Sequence, residues 1–123
     1  MILLSPAKKL DYVSSFPPTA STQARCLADS QVLVNQLKTY APQQIAQLMR
    51  LSDDLAQLNV ERFAEWQLPF NLDNAKPAMF AFAGDVYAGL NAYTLKETEL
   101  TYAQQALRLL SGLYGLLRPL DLI

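Results

Sequence analysis

At 123 residues the chain has room for one domain with a modest core, and its apolar share of 51% is that of a globular sequence rather than a disordered one. A formal net charge of -1 provides no global basic field, so any contact with nucleic acid must rest on a local patch. One cysteine and no histidine exclude, within this chain, an internal disulfide framework, imidazole metal sites and Ser-His or Cys-His nucleophiles. Zinc has no credible ligand set, and no residue pattern calls for a metal or a cofactor. The lone Cys26 fits a reducing, cytoplasmic setting.

In chain order, Ile2 to Ser5 is a short apolar run of β type, stopped by Pro6 and predicted as a buried strand. Its charges follow the apolar residues, the reverse of a signal peptide, and no run approaches the roughly 18 apolar residues of a membrane span. Residues 13 to 22 carry Pro17, Pro18 and several small polar residues and predict an extended loop. The spacing of Leu27, Val34 and Ala41, with Leu33, Leu37 and Tyr40 beside them, predicts a helix over 22–40. Pro42 suits the first turn of a second helix offering Ile45, Leu48 and Met49. Ser52 is placed as the N-cap of a third, with Asp53 and Asp54 at its positive end and Leu55, Leu58, Phe63 and Trp66 buried.

Residues 67 to 77 read as a loop. Met79 to Ala83 alternates and predicts a strand, which Gly84-Asp85 turns into a short helix over 86–91. Thr94 and Glu97 have capping-box spacing and start a helix that puts Leu100, Ala103, Leu107 and Leu110 on one face. The predicted fold class is α+β, mostly helical with a few short strands.

Three constellations are candidates for function. Gly112-Leu113-Tyr114-Gly115, between a predicted helix and a second short one, matches the hairpin of a helix-hairpin-helix module. There the glycines let the backbone approach a phosphate, N–H groups donate to it, and Arg118 adds charge. Pro119 shortens or bends that second helix. A plain glycine cap and turn fit the same residues. Ser5 to Asp11 leaves a strand end with Lys8 and Lys9, which can bind phosphate as point charges or serve as ordinary surface lysines. Gly84-Asp85-Val86-Tyr87 offers a carboxylate that orients a substrate or caps a helix, and a ring that stacks on a base or fills the core.

Four blocks resemble the YaaA-type family of bacterial peroxide-stress-resistance proteins. They are Ser5-Pro6-Ala7-Lys8-Lys9-Leu10-Asp11-Tyr12; Leu48 to Asp53 with Asn59 to Phe63; Ala81 to Leu90; and Leu107 to Leu122. The resemblance implies a protein about twice as long. Residues 1–123 then form the N-terminal portion of a larger single-domain fold. It implies a cytoplasmic protein that binds DNA through backbone contacts of low sequence specificity and limits iron-driven oxidative damage under hydrogen peroxide. It also favours Lys8 over Lys9. Two other readings stay open. One is an enzyme acting on a nucleotide or other phosphorylated small molecule, with Lys8, Asp85 and Arg118 in one cleft. The other is an interaction scaffold whose partner half carries the function. Because the chain stops on Leu122-Ile123, an apolar patch of Leu113, Leu116, Leu117, Leu120, Leu122 and Ile123 is expected to be exposed and to drive self-association.

Overall fold

Residues Ile2-Leu3-Leu4 form strand β1, and in the computed structural model, which describes all of Met1–Ile123, they find their partner a hundred residues away. Strand β5 (Leu107–Ser111) runs parallel to β1, with Ile2 opposite Leu107 and Leu4 opposite Leu109. The chain then turns through Gly112-Leu113-Tyr114 and returns as β6 (Gly115–Leu117), antiparallel to β5, with Ser111 opposite Gly115. The three strands form one sheet in the order β1-β5-β6.

Two smaller strand pairs complete this unit, which comprises Met1–Cys26 and Phe70–Ile123. β2 (Lys9–Leu10) pairs antiparallel with β4 (Phe82–Ala83). β3 (Thr22–Gln23) pairs parallel with β7 (Asp121–Leu122). The pairing at β7 extends to Lys76, whose backbone N–H and C=O exchange 3.0 Å bonds with Ile123. The core gathers Met79, Phe80, Ala92, Leu100, Ala103 and Leu120, with Phe16 stacked on Phe80 at 5.4 Å.

The second unit, Leu27–Pro69, is three helices. They are α1 (Leu27–Leu37), α2 (Pro42–Met49) and α3 (Asp53–Glu65). Pro42 stands at the start of α2, and Gln44 accepts the Ala41 N–H at 2.7 Å, the half of a capping box open to an alanine cap. Ser52 caps α3 as predicted, its hydroxyl accepting from the Leu55 N–H at 3.4 Å. Val34, Ile45 and Ala56 are fully buried.

The remaining helices are α4 (Ala78–Ala81), α5 (Asp85–Leu90) and α6 (Glu97–Ala106). With six α-helices and short strands in small sheets, the fold is α+β and mostly helical. No helix is long and apolar enough to cross a membrane.

Several expectations are corrected, the first being the buried strand at Ile2 to Ser5, where Ile2 and Leu3 are exposed on an edge strand. The first helix begins at Leu27, because Thr22 and Gln23 are drawn into the ladder with Asp121 and Leu122. Only Phe82-Ala83 of the predicted 79–83 strand is strand. Ala78 to Ala81 is a helical turn buried on every side, and a short run without a solvent face carries no period to read. The capping interaction at α6 comes two residues later, Glu99 accepting the Lys96 N–H at 2.9 Å. That helix ends at Ala106, because Leu107-Arg108-Leu109-Leu110 satisfies both periods, three apart and two apart, and pairing with β1 selects the strand.

The last correction changes the functional reading. Gly112 to Gly115 is the turn of a β-hairpin, with strands on both sides and no helix-hairpin-helix. The apolar end is also largely covered: Leu117, Leu120, Leu122 and Ile123 are buried, Leu113 is half-buried, and of the six only Leu116 is exposed.

The two hairpin glycines carry different duties. Gly115 sits at φ +75°, where an added Cβ would also lie 3.4 Å from the Cys26 Sγ. Gly112 faces open space and needs no left-handed backbone. Gly115→Ala should therefore destabilise the protein by about 1 kcal/mol or more, and Gly112→Ala should change stability by less than about 0.5 kcal/mol. Urea midpoints of the two variants check this, and equal midpoints would refute the assignment.

Candidate functional site

The Ser5–Asp11 segment and the Ala83–Tyr87 segment lie side by side. In the β2–β4 ladder Lys9 opposes Ala83, so the same register carries Lys8 to Gly84 and Ala7 towards Asp85. The approach is close: a Cβ on Gly84, whose φ of +150° suits glycine, would stand 3.5 Å from the Ala7 Cβ. Tyr87 locks the pair, its buried hydroxyl donating to the Ser5 carbonyl at 2.5 Å and its ring 5.3 Å from Phe82. Burial pushes the Tyr87 phenol pKa up. Tyr87 is thus a packed positioning group and not an open ring for stacking. Lys8, Lys9 and Asp85 are exposed around this junction. The juxtaposition comes from an antiparallel pair of two-residue strands.

Behind the junction lies a buried cation that sequence reasoning passed over. Lys76 is 4% exposed. Its ammonium has three donors and finds three acceptors: the carbonyls of Asp11 and Ser14, each at 2.9 Å, and the Tyr93 hydroxyl at 2.8 Å. Tyr93 in turn donates to the Phe80 carbonyl at 2.7 Å. The ammonium also sits 5.2 Å from the Tyr93 ring and 5.7 Å from that of Phe16. Burial pulls the Lys76 pKa down, opposed by the Asp11 charge. Burial pushes Tyr93 up, with the Asp11 charge and hydrogen bond adding to it. The signal in the sequence was a single lysine inside the apolar run from Ala75 to Ala83.

Asp11 closes the adjoining loop. The Ser14 hydroxyl, then the backbone N–H groups of Ser14 and Val13, hold its carboxylate far below the usual aspartate range. The two backbone bonds are 2.9 Å long. Loop 11–14, directly after Lys8 and Lys9, is therefore fixed from both sides: Asp11 oxygens take its own N–H groups, and Lys76 takes its carbonyls.

Arg118 belongs elsewhere. Its guanidinium meets the fully buried Asp121 carboxylate at 2.9 Å and donates to the Gln23 carbonyl at 2.8 Å. The Arg118 backbone N–H and the Thr22 hydroxyl donate to the same carboxylate. Arg118 is the clasp of β3 and β7, and the predicted cleft shared by Lys8, Asp85 and Arg118 does not form around its charge. At the hairpin, the Tyr114 N–H is taken by the Ser111 hydroxyl at 3.0 Å, and the buried Tyr114 ring packs edge-on to Phe70. Leu113 is half-buried and Gly112 exposed, so the turn offers neither a free charge nor the N–H row of a helix start.

The two best-formed clefts are lined by other residues. One is apolar, between Leu90, Leu95, Tyr102 and Leu107. The other lies among Leu37, Tyr40, Val60 and Ala64. No group of three His, Cys, Asp or Glu side chains converges as a metal site would require.

Two outcomes follow. Arg118→Ala should cost about 3 kcal/mol in urea unfolding, because it strands a buried carboxylate, and Arg118→Lys should recover only part of that. A near-neutral Arg118→Ala would instead mark the arginine as free for a ligand. For Asp11 the folded pKa is depressed, so its contribution is present above the unfolded value of about 4 and is lost as pH falls below it. Asp11→Asn should lower the melting temperature at pH 7 and flatten its fall between about pH 4 and pH 2. Parallel acid limbs for the two proteins would refute this.

Comparison with known proteins now bears on these residues. The family described as "Peroxide stress protein YaaA" matches residues 1–123. Relatives named UPF0246 protein are 54% identical in Hahella chejuensis and 55% identical in both Psychromonas ingrahamii and Shewanella loihica, each over all 123 residues of this chain. The chain spans about half of their length, 48% in each case. Over its whole described length, the chain belongs to the peroxide stress protein YaaA family.

Proposed function

We propose that this chain supplies a backbone-contacting, phosphate-binding part of a cytoplasmic peroxide-stress protein that binds DNA and limits iron-driven damage to it. The observation that carries the reading is the arrangement at the β2–β4 junction. Two exposed lysines, Lys8 and Lys9, stand on a backbone fixed by Tyr87 and, through loop 11–14, by Lys76. A rigid loop presenting adjacent ammonium groups suits a phosphate chain, where each contact is a point charge and sequence is not read. The contact is thereby moved from Gly112–Gly115 and Arg118 to Lys8 and Lys9.

A second reading, an enzyme acting on a nucleotide or other phosphorylated small molecule, is favoured by Asp85. Asp85 is exposed two residues after the strand that pairs with the lysine segment, and there it would orient a hydroxyl or water next to a lysine-bound phosphate. A third reading, an interaction scaffold, leaves the chemistry to the part of the family's length that this chain does not match.

Fluorescence anisotropy with a labelled duplex separates these readings. The DNA reading expects affinity to fall steeply between 50 and 200 mM salt, on the order of 10-fold or more for a few phosphate contacts. Lys8→Glu with Lys9→Glu should abolish that salt-dependent binding, and Gly112→Ala, which leaves the fold intact, should not change it. Loss of binding with Gly112→Ala would restore the hairpin as the contact. Unchanged binding in the folded double-lysine variant would sink the proposed site.

A further inference from the structure

The three-stranded sheet has two apolar faces that differ in burial along β5 and β6, while Ile2 and Leu3 of the edge strand β1 are both exposed. In register, Leu109 and Leu117 are neighbours on one face, and both are fully buried. Leu110 and Leu116 are neighbours on the other, 45% and 42% exposed. Leu3, 56% exposed, joins that second face beside Arg108. A sheet with one solvated face normally alternates apolar inward and polar outward. Here every strand places a leucine outward, with Arg108 as the one charged residue among them. The single charged member does not make the face polar, because the Arg108 guanidinium turns back to cap α6, donating to the Gln104 carbonyl at 2.8 Å and the Leu107 carbonyl at 2.6 Å. Both edge strands of this sheet, β1 and β6, also lack a partner on their outer sides.

We infer that the face formed by Leu3, Leu110 and Leu116 is an intramolecular docking surface, covered in full-length family members by the half of their length that this chain does not match. The length argument fixes the occupant. The chain accounts for 48% of each relative, so a segment about as long as the chain itself is available in the same polypeptide. Layered folds bury both faces of an apolar sheet by packing a second layer on it. Across the sheet the first layer is already in place, sealing Leu109 and Leu117. A covalently attached second layer needs no separate association step, which favours it over a second copy at ordinary concentrations.

Thiol labelling tests the inference. In a Cys26→Ser background, the thiol introduced by Leu110→Cys is compared with one introduced by Val32→Cys, an exposed position on α1. Each is placed in the 123-residue chain and in the same chain joined to the unmatched half of the Hahella chejuensis relative. Labelling at position 110 should slow by about 100-fold in the joined protein, the protection of a packed surface, with less than about a twofold change at position 32. Equal rates at position 110 in both proteins would overturn the inference. Slowing already present in the 123-residue chain and rising with its concentration would assign the face to a second copy, which also overturns it. A separate measurement covers failure of the joined protein to fold. With the unmatched half supplied as its own polypeptide, Leu110→Glu with Leu116→Glu should weaken association by about 100-fold while leaving the melting temperature of the 123-residue chain unchanged. Association indifferent to that pair, or no association at all, would overturn the inference.

Discussion

The Asp121 carboxylate is the constraint on which this architecture depends. It is fully buried, and a buried charge without partners is too costly for a small domain to carry. Its oxygens are taken by the Thr22 hydroxyl, the Arg118 backbone N–H and the Arg118 guanidinium. Thr22 and Asp121 lie 99 residues apart in sequence. Satisfying one carboxylate therefore brings an early segment against a late one, and β3 and β7 follow as two-residue strands with little ladder of their own. Gln104 tightens the same corner, donating to Thr22 and accepting the Leu120 N–H. The longer parallel pair, β1 with β5, closes a loop of similar length from the same side of the sequence. Non-local pairing of this kind orders its chain only when both ends are held, and the ionic clasp and the core of Phe80, Leu100 and Leu120 hold them together.

Lys76 plays the complementary part. Where Asp121 joins strands, Lys76 freezes a loop. Its three hydrogen bonds reach backbone carbonyls and a tyrosine hydroxyl, so the cation substitutes for the strand or helix that residues 11–14 lack. This places rigidity immediately after Lys8 and Lys9, where a binding segment gains by paying less ordering entropy on contact.

Much of the fold was legible because several elements carry their own signals. Pro42, and Ser52 with Asp53 and Asp54, place the starts of α2 and α3 almost without tertiary help. The errors cluster where the partner decides. Leu107 to Leu110 fits helix or strand until Ile2–Leu4 arrives beside it, and Gly112–Gly115 inherits its hairpin type from that choice. Ala78 to Ala81 is apolar on all sides, so no alternation marked it. The burial of Leu120, Leu122 and Ile123 depends on partners up to 99 residues away and leaves no local trace. Of the candidate site, the lysine segment and Gly84-Asp85 were each legible as following a strand-like run, but their pairing was not, since it is made by two-residue strands with no pattern of their own. Lys76 was not, because a single lysine inside an apolar run hints at burial without naming the carbonyls that receive its ammonium, which lie 65 and 62 residues away.

That ambiguity decides how the charge of this chain should be read. With 10 basic and 11 acidic residues, composition gives no preference for a polyanion. Three of the basic residues have structural duties. Lys76, Arg108 and Arg118 spend their donors on backbone carbonyls or a buried carboxylate, and each holds a loop, a helix end or a strand pair. A cation so committed is held by geometry and offers little to an incoming phosphate, because any new bond must replace an existing one. Lys8 and Lys9 lie together on the surface, beside a backbone that other residues have already fixed. In the proposed reading the contact needs only two adjacent exposed lysines at one strand junction, and a balanced composition does not count against it, since screening limits the reach of distant charges to about 10 Å at ordinary ionic strength.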